Sequence, residues 1–322
     1  MEMSSKIKLT KGVVILRYVT FVFLGLCLFV EKTQGIQNHP TSLVIERIES
    51  IPVEYPIRFA FLGDTRNSFS EGDHTGDSIF SIERHKIEEL VPLFTVHAGD
   101  FVKSGFYYEY EDFVDSIDAF EVNLLTVRGN HELYADEGPY MYSDIFGPTD
   151  YYFDYGKYRF IVMADCQQNP GTNWEGMHYI DYLFTVDQLD WLENLLKEAD
   201  SLRLFVLVFA HVPPYLPGHD TTHCLGWTHY YPQPNYEMSH TQEFTDMLSQ
   251  YRAFVALFGH QHFYDRWTYN GVFYIVSGGG GAPLVYPPLS DPPNGGSFYH
   301  FVLLELEEDG IITGYVYRAG GE

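Results

Sequence analysis

Five short apolar runs lie along the chain, and a small residue follows or closes each of them. The runs occupy residues 57–62, 93–98, 125–128, 202–209 and 254–258. Runs this short and this rich in valine, isoleucine, leucine and phenylalanine are typical of strands that are covered on both faces. The small residue lets the backbone turn sharply where the strand ends. The pattern therefore predicts an α/β protein whose central strands are buried.

Apolar positions at helical spacing separate several of these runs. They are Ile87, Leu90 and Val91, then Phe113, Ile117 and Phe120, and last Leu189, Leu192, Leu195 and Leu196. Asp187 precedes the third set and is predicted to cap that helix at its N-terminus. Strands and helices therefore alternate through most of the chain, which favours a sheet covered by helices.

The last third of the chain has a different pattern, because its predicted strands follow one another without helices. These strands occupy residues 266–269, 272–277, 299–306 and 311–317. We expect them to form a second sheet, mixed or antiparallel, that packs on the first.

Three further stretches connect these elements. Gly156 and Lys157 split an apolar segment into 151–155 and 158–164, which predicts a hairpin. Residues 167–182 and 213–239 are rich in proline, glycine and aromatic residues, and they are predicted to be long irregular loops. Connections of this length are usually functional, so we expect both loops at the rim of a site.

Length and composition indicate one large domain. The chain has 322 residues, of which 45% are hydrophobic and 17% aromatic, and no shift in composition marks an internal boundary. We expect a catalytic domain over 57–322, preceded by a polar linker over 36–56. Because the net charge is -25, we do not expect a nucleic-acid polymer or an anionic membrane surface as partner. A monomer is expected, although an oligomer stays open.

The first 35 residues have the layout of an export signal. Four basic residues precede the apolar run 18–30, and residues 33–35 place small side chains at the spacing that a signal peptidase prefers. A signal peptide over 1–35 predicts an extracytoplasmic protein, secreted or periplasmic; an uncleaved membrane anchor is the alternative. In an oxidising compartment Cys166 and Cys224 could form a disulfide, or they could be two buried thiols.

Metal-ligating residue types follow the five apolar runs directly. They are Asp64, Asp100, Asn130, His211, His260 and His262. The ends of neighbouring strands meet at one edge of an open α/β sheet, where ligands gather. Carboxylate, amide and imidazole groups together suit divalent metal ions, and a bridging carboxylate can hold two of them. The sequence therefore predicts a metal centre at this edge.

The five motifs resemble, in order, those of the calcineurin-like metallophosphoesterases. The motifs are Gly63-Asp64-Thr65-Arg66, Gly99-Asp100-Phe101-Val102, Gly129-Asn130-His131-Glu132, Ala210-His211-Val212-Pro213 and Gly259-His260-Gln261-His262. A later run of glycines that reaches Pro283 is similar to the purple-acid-phosphatase branch of that superfamily. The resemblance implies a four-layer α/β/β/α sandwich with two mixed sheets. It also implies two metal ions, Fe, Mn or Zn, at the strand ends.

The resemblance also implies a role for each site residue. Asp100 would bridge the two ions, Asp64 and His262 would bind the first, and the second would be bound by Asn130, His211 and His260. A hydroxide between the ions would attack a phosphomonoester or phosphodiester in line. His131 would lie beside the substrate, where it stabilises the transition state or protonates the leaving oxygen. Glu132 would orient its neighbours, unless it is a plain surface carboxylate.

The first motif departs from the family pattern. Arg66 stands where the commonest motif has a metal-binding histidine, and arginine keeps its proton and cannot ligate. Purple acid phosphatases use a tyrosine five residues after the aspartate, and that position is Phe69 here. The first ion is therefore expected to lack one protein ligand, unless water, Asn67 or His74 completes it. Arg66 itself could bind the substrate phosphate or form a structural ion pair.

Three functions are compatible with this sequence. The first is an exported, metal-dependent phosphoesterase that acts on small phosphate esters. The second is a phosphodiesterase of nucleotides or lipid head groups. The third is a degenerate member of the fold, a surface or binding protein with a single or labile metal; the departure at Arg66 favours it, and the presence of His131 argues against it.

Overall fold

The computed structural model describes residues 36–217, 223–227, 237–251, 253–285 and 295–319. Six α-helices lie in these ranges: α1 Thr41–Glu49, α2 Thr75–Leu90, α3 Tyr107–Asp118, α4 Gly138–Phe146, α5 Val186–Leu202 and α6 Glu237–Gln250. The strands from β1 to β7 are Ile57–Leu62, Phe94–His97, Leu124–Thr126, Tyr151–Tyr155, Tyr158–Val162, Cys166–Thr172 and His178–Tyr182. Those from β8 to β14 are Phe205–Phe209, Val255–Phe258, Tyr264–Tyr269, Val272–Ser277, Gly295–Gly296, His300–Leu306 and Ile312–Arg318. All of these elements lie within the unit 38–322.

Two mixed sheets form the centre of the molecule. The first has the strand order β14-β13-β1-β2-β3, and the second has the order β12-β10-β11-β9-β8-β5-β4. In the first sheet β1, β2 and β3 are parallel, and in the second β5, β8, β9 and β11 are parallel. The carboxyl ends of the parallel strands therefore lie along one edge of each sheet, which is where ligands collect in open α/β sheets.

The two sheets pack face to face through aromatic side chains. Phe59 of β1 and Phe209 of β8 have ring centres 5.9 Å apart, and Phe94 of β2 meets Phe160 of β5 edge to face at 5.2 Å. Such pairs bury large apolar surfaces and add about 0.5–1.5 kcal/mol each beyond area burial. One continuous core therefore lies between the sheets.

Helices cover the outer faces. Leu192 and Leu196 of α5 and Phe244 of α6 belong to a second buried cluster with the outward side chains of β8 and β9. On the other side, Phe80 of α2 and Phe113 of α3 pack against His97 of β2. Helix, sheet, sheet and helix follow one another, so the predicted four-layer α/β/β/α sandwich is confirmed.

The four C-terminal strands do not form a separate second sheet, and this prediction was wrong. Strand β11 pairs in parallel with β9 and carries β10 with it into the second sheet. Strands β13 and β14 form a hairpin, and β13 pairs antiparallel with β1 of the first sheet. Nearly every residue of β13 is buried, so the strand needs a neighbour on each side and cannot stay in a peripheral sheet.

Residues 36–56 differ from the predicted linker, because they contain helix α1. Its inward side chains Val44 and Ile48 are 3% and 0% exposed and belong to the core between the sheets. They are four residues apart and so lie on one face of the helix. The remaining positions are mainly polar and exposed. Because the apolar stripe is so narrow, the sequence pattern did not predict a helix here.

Several local predictions also need correction. Residues 167–182 are mostly the antiparallel pair β6 and β7, not an irregular loop. Thr185, not Asp187, caps α5; its side chain accepts the backbone N–H of Gln188, which forms a capping box. Helix α5 runs to Leu202, so the following strand begins only at Phe205. The predicted hairpin of β4 and β5 is confirmed.

The sequence left open the state of two cysteines and the role of the N-terminal segment. Cys166 and Cys224 are both buried, and no disulfide joins them to each other. The predicted export signal over 1–35 lies outside the described residues. Within the part of the chain that the structure describes, no helix is long and apolar enough to cross a membrane.

Candidate metal centre

The ends of β1, β2 and β9 turn through unusual backbone conformations. Asp64, Asp100 and His260 have φ angles of 61°, 58° and 65°, in the left-handed region that non-glycine residues rarely adopt. Each such position costs of order 1–3 kcal/mol and persists only where the surroundings hold it. These turns direct all three side chains into one buried place.

Glycines let the two central loops approach each other. Gly99 has a φ of 94°, and a Cβ atom there would lie 2.6 Å from the backbone nitrogen of Gly129. A Cβ on Gly129 would in turn lie 2.3 Å from Asp100 Oδ1. Neither position has room for a side chain, so the small residues at the strand ends bring Asp100 and Asn130 together.

Five of the six predicted ligands form two groups that share one residue. Asp100, His211 and His260 have ligand atoms within 4.8 Å of one another, and so do Asp64, Asp100 and His262. The shared member, Asp100, is 1% exposed. Two overlapping groups around one carboxylate are the arrangement that holds a pair of metal ions.

Asn130, the sixth predicted ligand, faces the group around His211. Its Oδ1 lies 3.1 Å from His211 Nε2 and 2.9 Å from His260 Nδ1. Its amide nitrogen donates to the hydroxyl of Tyr134 at 2.9 Å, which fixes the orientation of the amide. All six sequence-predicted ligands therefore lie together.

Backbone carbonyls orient two of the imidazoles. His211 Nδ1 lies 2.6 Å from the carbonyl oxygen of Ala98, and His262 Nδ1 lies 2.7 Å from that of Pro283. A carbonyl can only accept, so each Nδ1 carries a proton and donates it. Each Nε2 is then directed inward, 3.3 Å from Asp100 Oδ1 for His211 and 3.4 Å from Asp64 Oδ1 for His262. Ligating histidines in proteins are held in this way.

The electrostatics of the cluster favour a cation at its centre. Burial raises the pKa of Asp64, and its Oδ1 makes no hydrogen bond with any described residue. Although burial acts in the opposite direction, the carboxylates of Asp100 and Asp64 raise the pKa of His211 to about 10. Burial and then His211 hold the pKa of His260 well below its usual value. In the metal-free cluster the charge on His211 thus compensates the buried carboxylates, and a bound metal ion would replace that proton as the compensating charge.

The comparison of this chain with known families agrees with the geometry. The sequence pattern of the family described as calcineurin-like phosphoesterase matches residues 57–264. The chain belongs to this family. The matched range begins at β1 and ends at the start of β10, so it contains every strand end that contributes to the centre.

Three known proteins are similar to most of this chain. Purple acid phosphatase 23 of Arabidopsis thaliana is 26% identical over 267 residues, which are 70% of this chain and 53% of that protein. The chain therefore spans about half the length of this curated relative. A dimetal phosphatase from Danio rerio has a TM-score of 0.60 at 18% identity. The match covers 83% of this chain and 100% of that protein. GAP50, the anchor in the inner membrane complex of Plasmodium, has a TM-score of 0.56 at 16% identity, with 83% of this chain and 86% of that one covered.

Glu132 is buried and joins the two central loops. Its Oε2 accepts the backbone N–H groups of Asp100 and Gly129 at 2.9 and 2.7 Å. Its Oε1 accepts those of Phe101 and Val102 at 2.9 and 3.2 Å. Burial and the nearby Asp100 raise its pKa to about 7. Glu132 is thus no surface carboxylate; it positions the loop that carries Asp100.

His131 lies beside the two groups. Its Nδ1 lies 2.6 Å from the carbonyl oxygen of Lys103 and donates to it, so the lone pair is on Nε2, which is 3.7 Å from Asp100 Oδ2. Burial, followed by the charge of Arg66, lowers the pKa of His131 to about 3. The ring is 5.7 Å from the ring of Phe69, which is 54% exposed. His131 therefore lies between the buried ligands and the solvent.

Arg66 stands at the same edge and forms no ion pair with any described residue. Its backbone N–H donates to the carbonyl of Asp100 at 3.2 Å, and its Nη1 donates to the carbonyl of Asn67 at 3.1 Å. The side chains of Asn67 and His74, which could have completed the first group, instead contact the backbone N–H and the carboxylate of Asp77 at the start of α2. Three protein residues therefore make up the group around Asp64.

Sequence reasoning missed Asp165, although the same signal marks it. This residue follows Ala164 after β5 and is buried. Its Oδ2 accepts the backbone N–H of Val212 at 2.7 Å, so it holds the loop that carries His211. Burial raises its pKa to about 6. Lys103 was also missed, and no local pattern in the sequence distinguishes it.

Proposed function

We propose that this chain is an exported, dinuclear-metal phosphoesterase that hydrolyses small phosphomonoesters or phosphodiesters. The observation that carries the proposal is the position of Asp100, which belongs to both groups of potential ligands. A binding site for one structural metal would not require a second group that shares a carboxylate. Membership in the calcineurin-like phosphoesterase family supports the same reaction class.

The residues fit two ions of the Fe, Mn or Zn type. Asp64, Asp100 and His262 would hold the first ion, and the second would be held by Asp100, Asn130, His211 and His260. The fit rests on the donor set: carboxylate and imidazole ligand atoms lie within 4.8 Å of one another, and Asp64 Oδ1 is buried without a hydrogen bond to any described residue. The first ion would have one protein ligand fewer and is expected to exchange more easily.

When bound, the ions would supply the hydroxide nucleophile and neutralise the phosphoryl oxygens. The protein's own part is to hold the ligands and orient the ester. His131 would contact the substrate through Nε2, because its Nδ1 proton is donated to the carbonyl of Lys103. Arg66 would bind an anionic oxygen of the substrate with its guanidinium, since no ion pair with a described carboxylate occupies it.

The proposed compartment and partners rest on the sequence. The export signal predicted over 1–35 supports a secreted or periplasmic protein, and membrane contact is expected only through an uncleaved N-terminal segment. The net charge of -25 argues against a nucleic-acid polymer as substrate. The proposed substrate is therefore a small phosphate ester. The alternative is a phosphodiester of a nucleotide or a lipid head group.

A second candidate function, a binding protein with a single or labile metal, is favoured by one observation. The group around Asp64 has only three protein residues, because Arg66 occupies the position of a possible fourth ligand. The fold similarity to GAP50, named an anchor, shows that an anchoring protein can have this fold. The position of His131 beside Asp100 argues for the enzyme.

Metal content measured beside activity tests the proposal. The full chain is exported, purified and analysed for metals, and turnover is measured on an aryl monophosphate and an aryl phosphodiester. About two ions per chain with turnover is expected. Asp100→Asn should lose both ions and turnover, whereas the exposed Asp144→Asn should lose neither. One ion or none, without turnover after Mn, Zn and Fe are added, would favour the binding protein.

A further inference from the structure

Two cations lie on one exposed aromatic ring beside the metal centre. The guanidinium carbon of Arg66 is 5.6 Å from the centre of the Phe69 ring, and Lys103 Nζ is 5.3 Å from the same centre. The Phe69 ring in turn lies 5.7 Å from the ring of His131. The Phe69 ring therefore contacts both cations and also His131, the residue that faces the scissile phosphate in the proposed function.

No ion pair with a described carboxylate occupies either cation, although the protein is acidic. The chain has 44 Asp and Glu against 19 Lys and Arg. Five other cations pair with carboxylates: Arg58, Lys86, Lys157, Arg159 and Lys197. Over the described ranges, neither Arg66 nor Lys103 has a carboxylate within 4.0 Å in an ion pair. Two like charges near one ring repel each other, so an anion between them would be stabilised by both.

Backbone hydrogen bonds tie both cation-bearing residues to the loops that carry the ligands. Arg66 is two residues after Asp64, and its N–H is bonded to the carbonyl of Asp100. Lys103 is three residues after Asp100, and its carbonyl accepts the Nδ1 proton of His131. Because the same loops carry the ligands and the cations, the distance between an ion and a bound anion would be set by the fold.

These cations also line an open cavity of about 690 Å³. Five acidic residues share this lining: Glu71, Asp73, Asp77, Glu109 and Asp112. An anion is therefore stabilised only beside the two cations near Phe69. Whatever extends further into the cavity meets carboxylates, which favour neutral hydroxyl-bearing or cationic groups.

We propose that Arg66 and Lys103 form a subsite for a second anionic group of the substrate, a phosphate or carboxylate on the leaving group. This inference rests on the proposed function, since it places the scissile phosphoryl at the metal centre. The preferred substrates are then esters or anhydrides with two neighbouring anionic groups. A singly phosphorylated aryl alcohol would be a poorer substrate, and a third anionic group would add nothing because it would face the carboxylates that share the cavity lining.

Binding of two inhibitors that differ by one anionic group tests the subsite. Methylphosphonate and methylenediphosphonate are titrated calorimetrically into the metal-loaded protein, with metal content measured before and after. We expect the diphosphonate to bind the wild type roughly 10-fold to 100-fold tighter, because each charge-assisted hydrogen bond contributes about 1.5–3 kcal/mol. Lys103→Met should reduce this ratio at least about 10-fold, while the affinity for methylphosphonate stays within about twofold.

Matched variants separate the subsite from general effects. Lys157→Met removes a lysine that pairs with Glu308 on the surface, and it should leave the ratio unchanged. Lys103→Arg keeps the charge and should keep most of the preference. A ratio that Lys103→Met does not change would overturn the subsite, since the ions alone would then hold the second phosphonate. If the wild type binds neither phosphonate and turns over no aryl phosphate, the proposed function itself fails together with this inference.

Discussion

The carboxylate of Glu132 accepts the backbone N–H of Asp100 at 2.9 Å, and the carboxylate of Asp100 accepts the backbone N–H of His131 at 2.9 Å. The two acidic residues therefore hold each other's loops, one at the end of β2 and one at the end of β3. Neither loop can shift without the other. The position of the shared ligand Asp100 therefore depends on Glu132, whose own carboxylate is occupied by backbone N–H groups.

Replacing Glu132 by Gln should loosen this connection. A Gln side chain has one oxygen, and its NH₂ group would face N–H donors that have no other acceptor, which leaves buried groups unsatisfied. We expect Glu132→Gln to lower the free energy of unfolding by about 2–4 kcal/mol and to reduce metal content. Urea unfolding and elemental analysis measure the two effects. Glu175→Gln, at an exposed position, should change neither; equal stability of the two variants would contradict the role assigned to Glu132.

His131 should matter for turnover and not for metal binding. It belongs to neither potential ligand group, yet its Nε2 lies 3.7 Å from Asp100 Oδ2 at the open side of the centre. We expect His131→Ala to lower kcat about 10²-fold to 10⁴-fold on an aryl phosphate, as for other residues that assist proton transfer, with metal content unchanged. Loss of ions along with activity would assign the ring to metal binding. His39→Ala, a partly exposed position far along the chain from the motifs, is the control.

The candidate ligands could be predicted from sequence because their signal is local. Asp64, Asp100 and His211 each follow a buried run and a small residue, and parallel strands bring such positions together. Lys103 has no such signal. Its carbonyl and its ammonium both serve the site only because the chain turns after β2 and brings Phe69 alongside, which is a property of the tertiary structure.

The fold was predicted less completely than the site for a related reason. The apolar pattern of 299–306 predicts a strand, but not that β13 pairs with β1. Strand partners depend on which edges the rest of the fold leaves open. Likewise α1 buries only a narrow stripe, so its composition resembles a linker even though Ile48 is wholly buried.

Glu83 should make stability depend on pH. This residue of α2 is 1% exposed, and neither of its carboxylate oxygens has a hydrogen-bond partner among the described residues. Burial raises its pKa well above the ordinary value of 4.5. The unfolded chain therefore releases this proton at lower pH than the folded chain does. Stability is unaffected by Glu83 below the unfolded pKa and is lost as pH rises from there towards the folded pKa.

Replacing Glu83 by Gln should remove that loss. We expect Glu83→Gln and the wild type to differ little near about pH 4, and the variant to gain relative stability as the pH approaches about 7. Urea unfolding across this range gives the difference at each pH. The exposed Glu46→Gln should show no such trend. A difference that is constant with pH would mean that the Glu83 carboxyl has a similar pKa in both states.

Helix α1 should contribute to the stability of the folded domain. Ile48 is 0% exposed and packs in the core between the sheets, whereas Leu43 on the same helix is 52% exposed. Ile48→Ala should lower the free energy of unfolding by about 2–5 kcal/mol, because the lost side chain leaves a cavity in a dense core. Leu43→Ala should cost less than about 1 kcal/mol. Equal, small effects of the two variants would show that residues 41–49 act as a linker and that the domain begins at β1.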